Sequence, residues 1–166
     1  MVGGHELATE ISLTHTKQAS ALTIELDSIT GRIAQQLYPK ADITVAGFET
    51  TDRRDFYDLA IGNVPFGQYQ VNDRAYNKLG FSIHDYFFAK AIDQVRPGGV
   101  VAFVTSRYTM DKQSPEVRKY IAQRAELLGA IRLPNTAFKA KRSSRYSTDA
   151  VSTSAASFAK RFPLEW

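Results

Sequence analysis

DLAIGNVPFGQY, residues 58–69, holds the most informative junction in the chain. An apolar run, Asp58-Leu59-Ala60-Ile61, passes without a break into Gly62-Asn63-Val64-Pro65-Phe66-Gly67. A short apolar run bounded by turn residues suits a buried strand. A strand that ends in Asn, Pro and an aromatic ring can close in an ordinary turn, for which Asn and Pro are suited by local geometry. The same groups can also present an amide, a stiffened backbone and a ring to something outside the strand.

Working upstream, Leu22-Thr23-Ile24-Glu25-Leu26 alternates as a strand does. Asp27 or Ser28 can cap a helix in which Ile29, Ile33 and Leu37 recur, and Pro39 stops it. Asp42–Ala46 and Tyr57–Ile61 are further strands. Downstream, residues 67–80 (GQYQVNDRAYNKLG) form a long polar loop, which in a compact domain is often functional. Ser82 caps a helix with Phe87, Ala91 and Val95 on one stripe and Phe88 and Ile92 beside it; Arg96-Pro97-Gly98-Gly99 ends it. Val100–Val104 is continuously apolar, as in a strand covered on both faces. Ser114-Pro115 opens a helix with Pro at its first position and Val117, Ile121, Ala125 and Leu128 on its buried face. Leu128–Leu133 is a last strand.

Strands alternating with helices over short connections indicate an α/β domain with an open, mostly parallel sheet and helices on both faces. Its expected span is residues 22–139. Residues 1–21, with scattered Thr, Ser, His and Gly, form an atypical lead-in, and residues 140–166 a weakly structured Ser/Thr-rich basic tail. Ligands of such sheets bind outside the carboxyl ends of the strands. Glu25, Gly47-Phe48-Glu49 and Asn63-Val64-Pro65-Phe66 all fall there.

Composition narrows the chemistry. The 166 residues contain no cysteine, which excludes disulfides, thiolate metal sites and a cysteine nucleophile, and fits a reducing, cytoplasmic setting. No stretch approaches the roughly 20 apolar residues of a membrane span. His5, His15 and His84 are isolated and lack metal-ligand spacing. The net charge is +4, and residues 139–166 hold six cations against Asp149 and Glu165, so the first 138 residues are neutral on balance. A general affinity for nucleic acid cannot be read from charge.

Asn63-Val64-Pro65-Phe66 resembles the Asn-Pro-Pro-Tyr/Phe motif of adenine-N6 DNA methyltransferases, and its flanks carry the likeness further. Phe56–Gly62 resembles the strand before that motif. Ile24-Glu25-Leu26-Asp27 resembles the acidic end of the family's second strand, and Val95–Val104 the helix-turn-strand after the catalytic loop. Thr136-Ala137-Phe138-Lys139 falls where a base-stacking aromatic is common. The likeness covers about residues 22–139 and is strongest to modules attached to helicase-like proteins of mobile bacterial elements. It implies a Rossmann-like fold, S-adenosylmethionine as cofactor and a flipped-out adenine in DNA as substrate.

The resemblance also implies roles. An exocyclic amine is a poor nucleophile because its lone pair is delocalised into the ring. An Asn63 side-chain oxygen and the Val64 carbonyl would accept its two N–H groups and free that lone pair, by orientation and electrostatics. Pro65 stiffens the turn. Phe66 would stack on the base and Phe138 close its other face. Glu25 would accept the cofactor's ribose hydroxyls, and Phe48 or Glu49 would lie near its adenine. Each has a plainer alternative: a strand-end charge for Glu25, loop residues for Phe48 and Glu49, a core ring for Phe138.

Two departures stand out. The family's glycine-rich loop after the first strand has no counterpart, since Gly3-Gly4 does not follow a strand. Beyond Lys139 the family continues with a core strand where this chain turns Ser/Thr-rich. A partial domain with poor cofactor affinity is implied, with sequence specificity supplied by a helicase or specificity region on another chain. A non-catalytic nucleic-acid-binding or interaction module is the alternative. Small-molecule and protein-glutamine methyltransferases carry similar turns.

Overall fold

The computed structural model describes residues 10–15, 20–65, 70–106, 108–134 and 153–161. Seven strands are described: β1 (Glu10–His15), β2 (Ser20–Glu25), β3 (Asp42–Val45), β4 (Tyr57–Asn63), β5 (Val95–Ser106), β6 (Ala125–Arg132) and β7 (Thr153–Lys160). Helices α1 (Ser28–Leu37), α2 (Ile83–Gln94), α3 (Tyr108–Asp111) and α4 (Glu116–Ala122) connect them. The strands form one sheet in the order β3-β2-β1-β4-β5-β7-β6. β2 is parallel to β3 and β4 to β5, while β1 is antiparallel to both β2 and β4, and β7 to both β5 and β6. Strands β2 to β6 therefore share one direction, and β1 and β7 run against them.

Register separates the two faces, since paired residues share a face and side chains alternate along a strand. Ala60 pairs with Val101, Val101 with Phe158, and Leu13 with Ala60. These residues, with Ile11, Phe103 and Ala156, make the buried face. Helix α2 covers it: Phe88 is fully buried, 5.3 Å from the ring of Phe103 and 5.4 Å from that of Phe158. Val117 and Ile121 of α4 complete the layer. Helix α1 lies on the opposite face against β2 and β3, where Gly31 permits close contact; a Cβ there would stand 2.6 Å from Val45 Cγ2. Helices thus lie on both faces, but unequally. Among the described residues no helix is seated over β4 and β5 on the second face, and Ile61 is 49% exposed there.

Local chemistry explains the elements. The Asp27 carboxylate caps α1 by accepting the Thr30 N–H at 2.7 Å. Ser82 caps α2, and Asp85 three residues on accepts from the Ser82 N–H at 3.3 Å and its hydroxyl at 2.6 Å. Lys112 adds a 2.8 Å ion pair to the fully buried Asp85. Helix α2 ends at Gln94, and the chain crosses to β5 where Gly99 passes against backbone: a Cβ would meet Asp58 O at 3.0 Å and Tyr57 O at 3.1 Å.

Several expectations need correction. The lead-in supplies β1 and the start of β2, because Ile11 and Leu13 alternate with Ser12 and Thr14 and bury fully. The Ser/Thr-rich tail supplies β7, because small residues let it pass between β5 and β6 with Ala156 and Phe158 inward. Ile29, Ile33 and Leu37 of α1 are 54%, 52% and 66% exposed, because the helix turns its Gly31 side to the sheet. Helix α4 stops at Ala122 with Pro115 as its cap, so Ala125 belongs to β6 and Leu128, 56% exposed, lines no helix.

Candidate functional site

Strands β2, β3, β4 and β5 end on the same edge of the sheet, at Glu25, Val45, Asn63 and Ser106. Strand β1 contributes its amino end there, since Glu10 pairs with Glu25 and Ile11 with Gly62. The chain leaves β1 at the opposite edge, so among the described residues no loop follows β1 here. Gly3-Gly4, ahead of β1, lie outside the described residues.

A pocket of about 230 Å³ opens at the edge beyond β2 and β3. Ile11 and Ile24 form its floor, Phe48 and Glu49 one wall, and Val71 and Asn72 part of another. Phe48, predicted as a cofactor contact, is only 3% exposed and stacks on Phe87 at 5.2 Å with 24° between the rings. Glu49 is exposed, and its carboxylate curls back over Gly47, where any Cβ would collide with it. Both Phe48 and Glu49 line the pocket. An apolar floor, a ring on one side and a polar rim suit a planar, partly polar heterocycle.

Glu25 is 2% exposed and does not line this pocket; its neighbours Ile24 and Leu26 do. Its Oε1 accepts the Asp27 N–H at 2.8 Å, and its Cγ lies where α1 approaches at Gly31. The carboxylate thus stands on the α1 face and braces the turn into that helix.

Asn63 closes β4 opposite Val104 of β5, and the next residue continues the ladder, Val64 N–H donating to Val104 O at 2.9 Å. Val64 is fully buried and Pro65 buried. The Asn63 Oδ1 is buried and has no hydrogen-bond partner among the described residues. An unsatisfied buried amide oxygen costs about 1–3 kcal/mol, so its retention at a strand end calls for a reason. Asn63 does not line the pocket beside Phe48. Phe66 and Phe138 lie outside the described residues.

Val71 and Asn72 fall in the long polar loop expected over residues 67–80, but neither stands out within it, and Lys90 is not singled out at all. Lys90 is 4% exposed and sits among the apolar residues of α2; a lysine within the buried stripe of a helix was the available signal. The described residues hold no cluster that could bind a metal ion. None of their helices is long and apolar enough to cross a membrane.

The chain matches no family model. It is 32% identical over 123 residues to the Defense against restriction protein B of Escherichia phage P1; the match takes in 70% of this chain and 5% of that protein. Among solved structures it superposes on one described as a class I S-adenosylmethionine-dependent methyltransferase from Listeria monocytogenes, with a TM-score of 0.60 and 19% identity, over 86% of this chain and 45% of that one. The TYW2 protein of Pyrococcus horikoshii, solved with MeSAdo, gives a TM-score of 0.50 and 12% identity over 87% and 49% of the two chains. The chain therefore has the class I Rossmann-like methyltransferase fold, and it spans less than half the length of either solved protein.

Proposed function

We propose that this chain carries the core, or a truncated part of the core, of an S-adenosylmethionine-dependent adenine-N6 DNA methyltransferase. The observation that carries the reading is the buried, unpartnered amide oxygen of Asn63 at the end of β4. It supplies an acceptor for one amine N–H. The Val64 carbonyl, ahead of a proline that has no N–H to donate, supplies the second. With both N–H groups engaged, the lone pair turns out of the ring, and one of the two amine protons would leave to solvent once that nitrogen is alkylated. Phe66 and Phe138 are the proposed stacking rings for the flipped base.

The pocket lined by Phe48 and Glu49 fits the nucleoside end of the cofactor, with an apolar floor for a purine. When bound, the cofactor supplies a methyl group on a sulfonium. For Glu25 to accept the ribose hydroxyls, its carboxylate would take them in addition to the Asp27 amide held by Oε1. The proposed partners are DNA and a helicase or specificity region on another chain, in line with the 5% of the phage P1 protein that the match takes in.

A second reading has its own observation. β1 runs against its neighbours and sends the chain away from the ligand edge, so no described loop follows it where the cofactor's amino-acid end would lie, which favours a non-catalytic nucleic-acid-binding or interaction module. Labelled methyl transfer to duplex DNA, measured for the wild type and Asn63→Ala at high cofactor concentration, separates the two. Transfer lost in the variant supports the enzyme. No transfer in either supports the module.

A further inference from the structure

Lys90 is the one charged side chain of α2 that sits between the two walls of the Phe48 pocket, and its side chain is 5% exposed. A buried ammonium is costly unless it is paired and hydrogen-bonded. Here Nζ donates to Asp73 Oδ2 at 2.6 Å and to the Glu49 carbonyl at 3.1 Å. It also lies 5.4 Å from the ring centre of Phe48 and 5.8 Å from that of Tyr86. The Tyr86 hydroxyl donates to the same Asp73 oxygen at 3.0 Å. Asp73 Oδ1 accepts the Ala75 N–H at 3.0 Å, and Asn77 Oδ1 accepts the Asp73 N–H at 3.0 Å. Burial pushes the Asp73 carboxyl up, but hydrogen bonds from Lys90, Ala75 and Tyr86 and the Lys90 charge outweigh it and hold it below its usual range.

One ammonium therefore joins two separate segments. Phe48 and Glu49 follow β3, while residues 70–72 follow the Asn63 turn and run directly into Asp73. Replacing a buried ion pair by well-packed apolar residues is often neutral or stabilising, so stability alone is a weak reason for this one. Its geometry offers a better one, because a tetrahedral donor can fix a carbonyl and a carboxylate at once.

We infer that Lys90 is a positioning residue: it ties the loop after the Asn63 turn to the Phe48–Glu49 wall and so sets the width of the cofactor pocket. This rests on the methyltransferase reading of that pocket. The tie also links the order of the substrate loop to the order of the cofactor wall.

The test is a titration of the full chain with S-adenosylmethionine, followed by amide NMR shifts, together with amide hydrogen exchange without ligand. Lys90→Met is expected to weaken binding about tenfold and to speed exchange at residues 70–79 while β5 keeps its protection. Asp73→Asn should act likewise, and the double variant should lose no more than either alone. Tyr86→Phe, which removes one hydroxyl from the network, should weaken binding about two- to fivefold and serves if Lys90→Met does not fold. Lys112→Met breaks the Asp85 pair away from the pocket and should leave affinity unchanged. Wild-type affinity and wild-type exchange in Lys90→Met, or equal losses in Lys112→Met, would overturn the tie. Exchange needs no ligand, so it decides on the tie even if the wild type shows no saturable shifts, an outcome that overturns the cofactor reading instead.

Discussion

Ile11 stands opposite Gly62 in a ladder whose two strands run in opposite directions. That relationship places β1 inside the sheet, since it pairs on both sides and buries Ile11 and Leu13 completely. It also sends the chain out of β1 away from the ligand edge, because a strand that runs against its neighbours ends at the other side of the sheet. The core gains an inner strand, and among the described residues no loop follows β1 at the site.

Cofactor affinity follows from the pocket's lining. It has a ring, an apolar floor and a rim for a nucleoside, but no lysine or arginine among the described lining residues for an amino-acid carboxylate. S-adenosylmethionine is expected to bind with a Kd weaker than about 100 μM, above roughly −5.5 kcal/mol, and adenosine to bind within a few-fold of it. Calorimetry with both ligands checks this. Micromolar binding of S-adenosylmethionine with adenosine far weaker would show that some other segment holds that carboxylate.

Asn63 predicts opposite effects on activity and on stability. Its Oδ1 is buried and unpartnered among the described residues, which is an energetic cost in the free chain. Asn63→Ala should abolish any methyl transfer, yet leave the melting temperature unchanged or raise it by a few degrees. Thermal unfolding of the two chains measures it. A clear drop in melting temperature would mean that the amide serves the fold, as the plain turn reading holds.

How much of this was legible in the sequence can be judged from particular residues. Helix α2 announces itself through the Ser82–Asp85 cap and the Phe87–Phe88–Ile92 packing, and β5 through five apolar residues in a row. Both signals are local. β1 has only Ile11 and Leu13 to mark it, too short a period to stand out, and its direction depends on partners far along the chain. β7 buries Ala156 and Phe158 in a run of Ser and Ala, where hydrophobicity is too slight to register. Phe48 and Glu49 were placed at the ligand edge by strand order alone. Lys90 shows in the sequence only as a lysine among the apolar residues of α2; its meaning lies in Asp73 and Glu49, which only the tertiary structure brings to it.

The unequal cover of the two sheet faces yields a stability contrast. Phe88 is fully buried between Phe103 and Phe158, so Phe88→Ala should cost about 3–5 kcal/mol. Ile33 is apolar and lies on the expected stripe of α1, yet it is 52% exposed. Ile33→Glu should change stability by no more than about 0.5 kcal/mol. Urea unfolding of both variants tests the pair. A large loss in Ile33→Glu would show that the outer side of α1 packs against something in solution.

His84 predicts a pH dependence in the mildly acidic range. The residue is 3% exposed in the first turn of α2, and burial is the main reason its pKa falls below the usual 6.5. The Asp85 charge pulls it partly back up, and Lys112 pushes it down again. A histidine whose folded pKa is depressed takes up its proton first in the unfolded chain. The unfolded state therefore binds more protons as pH drops, and stability is lost on acidification. Its contribution should be fully present above about pH 6.5 and decline as pH falls from there toward the folded pKa, by about 1.4 kcal/mol for each unit between the two values. His84→Gln should flatten that slope while leaving the steeper carboxylate-driven loss at lower pH in place. Urea midpoints for both chains across pH 5–8 measure it, and parallel slopes would show that the imidazole keeps an ordinary affinity for protons in the folded protein.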